Sequence, residues 1–476
     1  MPLVAGIDCS TQSTKALITD VDSGEVVATG RADHQVEGTG GVRESDPEGW
    51  WRALRDALGQ TGRADEVAAI AVAGQQHGMV VLDQRGHPLR AAKLWNDTES
   101  ALDAVALIDA FAGPGWWAQR VGIVPVASFT ATKWAWLRRT ANEIADVTAA
   151  IRLPHDFLTE RLCGRAVSDR SDASGTGWWS TAAGDYVDEV LNHRLLRLDR
   201  ALLPVVLGPD EAAGKLTGAA AAYLGLPQGI PVGPGAGDNA AAAVGLGLEP
   251  GVPVISLGTS GTTFMISESR TVDPSGTVAG FADATGRFLP LAATLNCTLA
   301  VDRVSGWLGL DREDAADRTD VVVLPYFDGE RTPNLPHAAA SIIGLRHATS
   351  PGEILLAAYQ GAALGLLDAL DMIDRHSSGI GADAPLILIG GGSKGPVWRR
   401  VVGSLSGRAI EIPEAEELVA RGAAAQAAAV LHGDQPEHLS RRWNTRRGTR
   451  LEPVLRDEET RDRITRAREK TAGLNS

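Results

Sequence analysis

Two aspartates stand where a carboxylate could act on a substrate rather than only stabilise a turn. Asp238 follows the glycine- and proline-rich loop PVGPGAG and opens an alanine-rich helical stretch. A helix N-terminus favours the ionised carboxylate, which can accept a proton from an attacking hydroxyl group. Asp238 is therefore the candidate general base, and the alternative is an N-cap aspartate that only stabilises its helix.

Asp8 is the second aspartate, and it ends the apolar strand LVAGI just before a turn rich in hydroxyl groups. The same pattern returns 248 residues later, where Ser256 begins the segment SLGTSGT. A tight turn between two strands aims successive N–H groups into one concavity, which suits phosphate oxygens. The candidate phosphate-binding residues are Thr11, Gln12, Ser13, Gly258, Thr259 and Ser260.

A carboxylate beside bound phosphates is repelled unless a cation lies between them. Mg²⁺ keeps several of its waters, so Asp8 is predicted to be an outer ligand of Mg²⁺ through water. The ordinary alternatives are a turn-capping aspartate and two plain hairpin turns. A P-loop is not the phosphate-binding device, because the nearest match, from Gly208 to Leu216, has the wrong spacing and lacks the final hydroxyl.

A third glycine cluster, from Gly390 to Ser393, ends the apolar strand PLILI and precedes a helix that begins near Pro396. Glycines at such a point let a flat ring or a ribose approach the backbone. A simple strand-to-helix turn has the same composition, so the cluster in isolation supports either interpretation.

Two short polar runs, GQQHG at 74–78 and LWND at 94–97, supply groups that suit a polyol or a sugar. Amide and imidazole groups exchange hydrogen bonds with hydroxyls, and an indole ring provides an apolar wall. A lone histidine is more often structural, but the glycines near His77 open the backbone around it. The candidate substrate-binding residues are Gln76, His77, Trp95, Asn96, Asp97 and Asn239.

The hydrophobic pattern predicts an α/β scaffold for these residues. The opening segment predicts three antiparallel strands, followed by a helix from Pro47 to about Leu58 and a strand over 66–74. Strands that alternate with helices indicate helices layered on a sheet. The repeated turn indicates two similar domains facing each other, and we predict them over 1–248 and 249–476.

Two further segments have a predicted structure of their own. The weakly polar stretch 355–373 contains Gln360, Asp368 and Asp371, which predicts a buried helix rather than a membrane span. The basic run RRWNTRRGTR and the charged stretch after it are predicted to form a solvated surface helix.

The composition excludes several classes of protein. The chain has 476 residues and a net charge of −14, which argues against a nucleic-acid coat and a membrane-surface binder. Three widely spaced cysteines indicate neither a disulfide framework nor a structural zinc site. The start of the chain lacks the basic and apolar regions of a signal peptide, so we expect a cytoplasmic protein.

Taken in order, the blocks resemble the FGGY family of carbohydrate kinases, whose two ribonuclease H-like domains enclose a central cleft, as in actin, Hsp70 and hexokinase. The resemblance covers nearly the whole chain. The blocks that carry it are GIDCSTQSTKALITD, GQQHG, LWND, HDFLTERLCG, SDASGT, GAGDNAAAAVG, SLGTSG, LPYFDGERTP and LIGGGSKGPVWRR. Many separate blocks in one order are far more specific than any single block.

The resemblance implies roles for individual residues. Asp238 matches the proton acceptor of the family, and Asp8 matches an aspartate near the metal. Gln76, His77 and Asn239 match sugar-binding positions. The two hydroxyl-rich turns match the ATP phosphate segments, and the adenosine segment corresponds to Gly391, Gly392 and Ser393.

Three positions depart from the family pattern. Gln76 stands where methionine is usual, which leaves the exact sugar open. His155 stands where lysine is usual, and the segment from Glu414 to Glu417 is unusually acidic. We expect little consequence from the second and third departures.

The implied activity is ATP-dependent and Mg²⁺-dependent phosphorylation of a sugar hydroxyl, with C5 of D-xylulose as the first candidate. The alternative substrates are a related ketose or a sugar alcohol, such as ribulose, xylitol, arabitol or glycerol. An ATP-driven switch of the actin and Hsp70 type would share the phosphate turns but would not need the GQQHG and LWND runs. The oligomeric state stays open, with a homodimer as one option.

Overall fold

The computed structural model describes residues 2–335 and 337–474. Strands and helices alternate along the chain, as the hydrophobic pattern predicts. The strands are β1 (Leu3–Cys9), β2 (Ser13–Asp20), β3 (Val26–Asp33), β4 (Glu44–Ser45), β5 (Val67–Gly74), β6 (Val80–Leu82), β7 (Ala92–Lys93), β8 (Ala150–Arg152), β9 (Val167–Ser168), β10 (Trp179–Ser180), β11 (Asp185–Tyr186), β12 (Val205–Val206), β13 (Gly214–Lys215), β14 (Pro231–Val232), β15 (Ala236–Gly237), β16 (Val254–Leu257), β17 (Gly261–Phe264), β18 (Ala279–Ala282), β19 (Phe288–Thr294), β20 (Val322–Leu324), β21 (Ser341–Ile343), β22 (Leu386–Ile389), β23 (Ile410–Pro413) and β24 (Gly448–Leu451).

The helices pack on the faces of the sheets formed by these strands. The α-helices are α1 (Pro47–Thr61), α2 (Ala101–Ala110), α3 (Pro114–Arg120), α4 (Thr130–Thr140), α5 (Asn142–Val147), α6 (Pro154–Cys163), α7 (Arg170–Ala173), α8 (Asp188–Leu191), α9 (Gly218–Leu224), α10 (Asp238–Gly245), α11 (Thr298–Leu308), α12 (Pro351–Arg375), α13 (Pro396–Ser406), α14 (Leu418–His432), α15 (Pro436–Arg442) and α16 (Glu458–Thr471). Asp46 caps α1 and proline occupies its first turn, so the predicted start of this helix is confirmed.

The first large sheet brings candidate site residues to one edge. Strands β1, β2 and β3 form the predicted antiparallel meander, and β1 also pairs in parallel with β5. Cys9 lies opposite Gly74 in that ladder, and Gly237 of β15 lies opposite Gly74 on the other side. Because the carboxyl ends of parallel strands meet at one edge, residues that follow β1, β5 and β15 lie close together.

The second large sheet repeats the plan of the first. Strand β16 pairs antiparallel with β17 and parallel with β22, just as β1 pairs with β2 and β5. In the first hairpin Cys9 pairs with Thr14, and in the second Leu257 pairs with Gly261, so the second turn is one residue shorter. The structure confirms the two similar halves indicated by the repeated turn.

Helices α10 and α14 pack closely against each other. Glycine permits this packing, because a Cβ atom on Gly422 would lie 1.9 Å from the carbonyl oxygen of Ala241. Helix α14 also covers β1, where a Cβ atom on Gly6 would lie 2.0 Å from the carbonyl oxygen of Ala420. Helix α14 follows the predicted boundary at 248 yet packs on the first sheet, so the two halves share a core.

Two predictions outside the site have clear outcomes. The stretch 355–373 is confirmed as a buried helix, since it lies within α12, and 78% of its most apolar window is buried inside the protein. The C-terminal prediction is confirmed for the charged stretch, which forms the surface helix α16, but it is wrong for the basic run. The basic run contributes the edge strand β24, and α16 buries Ile464 while Arg461 pairs with Asp371 of α12.

Candidate active site

A cavity of 670 Å³ is lined by residues from several of the predicted segments, whereas the GQQHG and LWND runs do not line it. Asp8 and Lys15 line it from the first sheet, and Asp238 and Asn239 line it from the start of α10. Ser256, Gly391 and Ser393 line it from the second half of the chain. The predicted base, metal-site residue and adenosine segment therefore meet around one space.

Asp8 is buried near the end of β1, with only 3% of the residue exposed. Its Oδ1 accepts a hydrogen bond of 2.7 Å from the Ser10 hydroxyl, and its Oδ2 lies 3.8 Å from Lys15 Nζ. Burial raises the pKa of Asp8 to about 6, although Ser10 and Lys15 favour the ionised form. A buried carboxylate facing a cavity, beside one positive charge, is suited to a cation that arrives with phosphates.

Lys15 lines the cavity although none of the sequence motifs singled it out. It lies opposite Asp8 in the β1–β2 ladder, so the predicted meander contained the signal that would have placed it there. Its Nζ contacts Glu417 Oε2 at 2.5 Å, and Lys394 contacts Glu416 at the same distance. The acidic segment 414–417, from which we expected little consequence, therefore lines the cavity and pairs with two lysines there.

Asp238 is the first residue of α10, and Gly237 rather than Asp238 is its N-cap. The Asp238 Oδ1 atom accepts hydrogen bonds from the backbone N–H of Asn239 at 2.7 Å and from its Nδ2 at 2.8 Å. Burial raises the pKa of Asp238 to about 7, and the negative charges of Asp8 and Asp172 add to this effect. A base with a pKa near neutrality can both accept and release a proton at physiological pH.

Gln76 and Asn239 form one polar surface beside Asp238. Asn239 Nδ2 donates to Gln76 Oε1 at 3.3 Å, and Thr262 Oγ1 donates to Asn239 Oδ1 at 3.4 Å. Gly237 makes room for the Gln76 side chain, because a Cβ atom there would lie 2.5 Å from Gln76 Nε2. The structure thus joins two predicted substrate-binding residues that are far apart in the sequence.

His77 has a backbone φ of 64°, in the left-handed region that most residues avoid. Its ring packs edge-on against Phe129 at 4.9 Å and tilted against Phe281 at 5.5 Å. Burial, helped by the positive charges of Lys133 and Arg331, holds the pKa of His77 well below its usual value. The imidazole is therefore neutral and can exchange hydrogen bonds with a hydroxyl group.

Gly175 leaves the space that this imidazole occupies, so a larger residue at position 175 should displace the ring. A Cβ atom on Gly175 would lie 2.4 Å from His77 Nδ1, and Phe129 and Phe281 limit where the ring could move. With His77 in its predicted substrate-binding role, we expect Gly175→Ala to raise the KM for the hydroxyl-bearing substrate about 10- to 100-fold, with the KM for the phosphate donor unchanged. Steady-state kinetics checks this, with Gly59→Ala as the control, because the space around Gly59 is open.

Trp95, Asn96 and Asp97 do not share one environment. Trp95 Nε1 donates to Thr11 Oγ1 at 3.0 Å, which ties the LWND run to the first phosphate turn. Asn96 Oδ1 is buried and accepts no hydrogen bond from the residues that the structure describes. Asp97 is fully buried and accepts hydrogen bonds from Lys93 Nζ at 2.7 Å and from the Arg43 N–H at 2.8 Å.

The environment of Asp97 favours a structural role. Asp97 forms an acidic cluster with Glu44 and Glu99 that has the spacing of a metal site. However, Lys93 Nζ lies 2.7 Å from Asp97, 2.5 Å from Glu99 and 3.4 Å from Glu44. An ammonium group thus already contacts all three carboxylates, in the place that a metal ion would take.

The two hydroxyl-rich turns flank the cavity through their neighbours Asp8 and Ser256, which line it. Ser10 N–H donates to the Ser13 carbonyl in the first turn, and Thr298 N–H donates to the Gly258 carbonyl in the second. Thr11 and Gln12 of the first turn, and Thr259 and Ser260 of the second, are at least partly exposed. Groups so placed are free to meet an anion from both halves of the chain.

The glycine cluster after β22 forms a short 3₁₀ turn over Gly391–Lys394. Gly390 has a φ of 82° and packs against Leu257, and the Ser393 hydroxyl donates to the Gly390 carbonyl at 2.8 Å. Apart from Gly391 and its chain neighbours, no atom of the described residues lies within 4 Å of a Cβ built on Gly391, so this backbone is open to the cavity. Gly392 packs inward on Leu257 instead, since a Cβ there would lie 2.8 Å away.

Two α/β halves of the same plan border a cavity lined by Asp8, Asp238 and Asn239, and this arrangement fits the class of two-domain sugar kinases. Two family models agree with this class. The N-terminal domain of the FGGY family of carbohydrate kinases matches residues 3–245, and the C-terminal domain matches residues 254–431. The chain therefore belongs to the FGGY family of carbohydrate kinases.

Characterised relatives match the chain over almost its full length. It is 56% identical to a xylulose kinase of Streptomyces coelicolor, covering 98% of this chain and 95% of that protein. It is 54% identical to a xylulose kinase of Streptomyces rubiginosus, covering 97% and 95%. The crystal structure of xylulose kinase from Bifidobacterium adolescentis superposes with a TM-score of 0.84 at 37% identity, covering 98% and 99%.

Proposed function

We propose that this protein transfers the γ-phosphoryl group of ATP to the C5 hydroxyl of D-xylulose, with Asp238 as the general base. The observation that supports this best is the Asp238 carboxylate at the cavity wall, beside the hydrogen-bonded pair Asn239 and Gln76. Identity above 50% to proteins named xylulose kinase supports the choice of sugar.

In this mechanism the sugar lies against Gln76, His77 and Asn239, and the triphosphate lies between the two hydroxyl-rich turns. The C5 oxygen attacks the γ-phosphorus while its proton moves to the Asp238 carboxylate. The bond between the γ-phosphorus and the β-phosphate oxygen breaks, and ADP leaves. Such a transfer needs little covalent help beyond in-line positioning and neutralisation of charge.

We assign Asp8 to a Mg²⁺ ion carried by ATP, held through water. The residue type and burial fit this assignment, because Mg²⁺ is usually bound by one or two carboxylates together with substrate phosphates. When bound, the ion neutralises phosphate charge. Lys15, 3.8 Å from Asp8, offers a second positive charge on the same side of the cavity.

We propose a cytoplasmic enzyme whose partners are small molecules rather than nucleic acid or membrane. The three cysteines, Cys9, Cys163 and Cys297, are buried and unbridged, which is consistent with a reducing compartment. We keep the homodimer as a hypothesis without a proposed interface.

A coupled assay of ADP release with Mg·ATP tests the substrate. The panel is D-xylulose, L-xylulose, D-ribulose, L-ribulose, glycerol, xylitol, D-arabitol and gluconate, with a reaction lacking sugar as the blank. We expect kcat/KM for D-xylulose to exceed that of every other member. A higher value for another sugar would overturn the substrate but keep the kinase class, and Gln76 would be the first residue to examine.

A further inference from the structure

A cluster of four buried ionisable side chains lies behind Asp238. His155 of α6 is fully buried, and its Nδ1 lies 2.9 Å from Asp172 Oδ2. Its Nε2 lies 3.4 Å from Asp156 Oδ1 and 3.6 Å from Asp169 Oδ1. None of these residues lines the cavity, so the mechanism above leaves the whole cluster without a role.

Hydrogen bonds connect this cluster to the start of α10. Asp169 caps α7 and accepts a hydrogen bond of 2.5 Å from the Ser171 hydroxyl. The Ser171 Oγ atom in turn accepts the N–H of Gly237 at 3.2 Å. Because Gly237 is the N-cap of α10, this bond fixes the backbone immediately before Asp238.

The imidazole of His155 also contacts the loop that leads to Asp238. A Cβ atom on Gly235 would lie 2.6 Å from His155 Cδ2, and one on Gly74 would lie 3.1 Å from His155 Cβ. Gly74 pairs with Gly237 across the β5–β15 ladder. His155 therefore packs against the end of β5 and against the loop that leads into β15 and Asp238.

The charges in the cluster explain why a cation is needed there. Burial alone would lower the pKa of His155, but Asp156, Asp172 and Asp169 together raise it to about 9. Arg152 provides a further positive charge beside Asp156. Without the imidazolium, three carboxylates would face one another in the interior, and such groups move apart or take up protons.

We propose that His155 is a positioning residue for phosphoryl transfer: its contact with Asp169 holds Ser171, which holds Gly237 and thereby sets the position of the Asp238 carboxylate. This inference rests on the proposed role of Asp238 as the base. It gives a function to a departure from the family pattern from which we expected little consequence. Misplacement of a reacting group by about 1 Å can lower a rate about 100-fold.

The first test compares His155→Gln, His155→Lys and Ser171→Ala in the full-length protein. We expect His155→Gln to lower kcat about 100-fold with the KM for ATP changed less than threefold. His155→Lys restores the positive charge and should recover most of kcat. Ser171→Ala removes the link to Gly237 without changing charge, and we expect a loss of kcat of about tenfold.

Thermal unfolding of each variant separates positioning from general damage. If His155→Gln does not fold, Ser171→Ala decides the question, because it leaves the buried charges intact. A folded Ser171→Ala variant with unchanged kcat would overturn the proposal, as would a folded His155→Gln variant with unchanged kcat.

A double-mutant cycle with Asp238→Asn distinguishes this proposal from the proposed function. If His155 acts through Asp238, adding His155→Gln to Asp238→Asn should lower kcat less than threefold further. A full additional 100-fold loss would show that His155 acts elsewhere and would overturn the positioning role alone. Wild-type turnover in Asp238→Asn by itself would remove both the base and its positioning residue.

Discussion

Replacing Asp238 with asparagine should lower kcat for sugar phosphorylation by roughly 10²- to 10⁴-fold, the usual contribution of a general base. Asparagine keeps the shape of the side chain and can still accept hydrogen bonds from Asn239, but it cannot take the proton of the C5 hydroxyl. The Kd for ATP should change little, because the proposed role of the carboxylate is on the sugar. Single-turnover kinetics and nucleotide titration measure the two quantities separately.

The control for this variant is Asp109→Asn, since Asp109 lies on the exposed surface of α2. Turnover within threefold of the wild-type value in Asp238→Asn would remove Asp238 from the role of base. A second readout is the pH dependence of kcat/KM for the sugar. Since the pKa of Asp238 is raised to about 7, kcat/KM should fall as the pH drops below 7, where the base is protonated.

Replacing Asp8 with asparagine should raise the Mg²⁺ concentration needed for half-maximal rate about 10- to 100-fold, the usual effect of losing an outer-shell partner of a metal. Asparagine can still accept the Ser10 hydrogen bond of 2.7 Å, so the first hairpin should keep its structure. The loss of rate should therefore be largest at low Mg²⁺ and partly recovered at high Mg²⁺. Initial rates across a Mg²⁺ series at fixed ATP provide the measurement.

Asp22→Asn is the matched control for this experiment, because Asp22 is exposed in the turn after β2 of the same meander. An unchanged Mg²⁺ requirement in Asp8→Asn, with wild-type thermal stability, would exclude Asp8 from the metal site. A uniform loss of rate at every Mg²⁺ concentration would also contradict the assignment. Such a uniform loss would indicate that Asp8 affects phosphate binding only by holding the Lys15 side chain in place.

Gln76 stands where the family pattern has methionine, and the surroundings of its side chain suit sugar binding. Gln76 is not an isolated polar group, because its Oε1 accepts a hydrogen bond from Asn239, and Gly237 leaves space for its side chain. A glutamine in this position adds a donor at the surface where the sugar is proposed to lie. The substrate panel therefore also measures how much that extra polar group changes selectivity.

Features that depend on short stretches of chain could be predicted from the amino-acid sequence. Alternation of apolar residues and turn-forming residues predicted the β1–β3 meander, the start of α1 and the strand before Gly390. The repeat of the Asp8 turn at Ser256 predicted two similar halves. These predictions were confirmed because strand pairing across a short turn and helix capping involve residues that are close in the sequence.

The tertiary structure alone decided which side chains meet across long separations. The pairing of Lys15 with Glu417, the packing of His77 against Gly175 and the burial of Asp97 beside Lys93 depend on how the packed elements meet. The same holds for His155, which collects three carboxylates behind Asp238. The physical reason is that local patterns record which face of an element is buried, whereas the partners on that face are set by close packing of the whole chain.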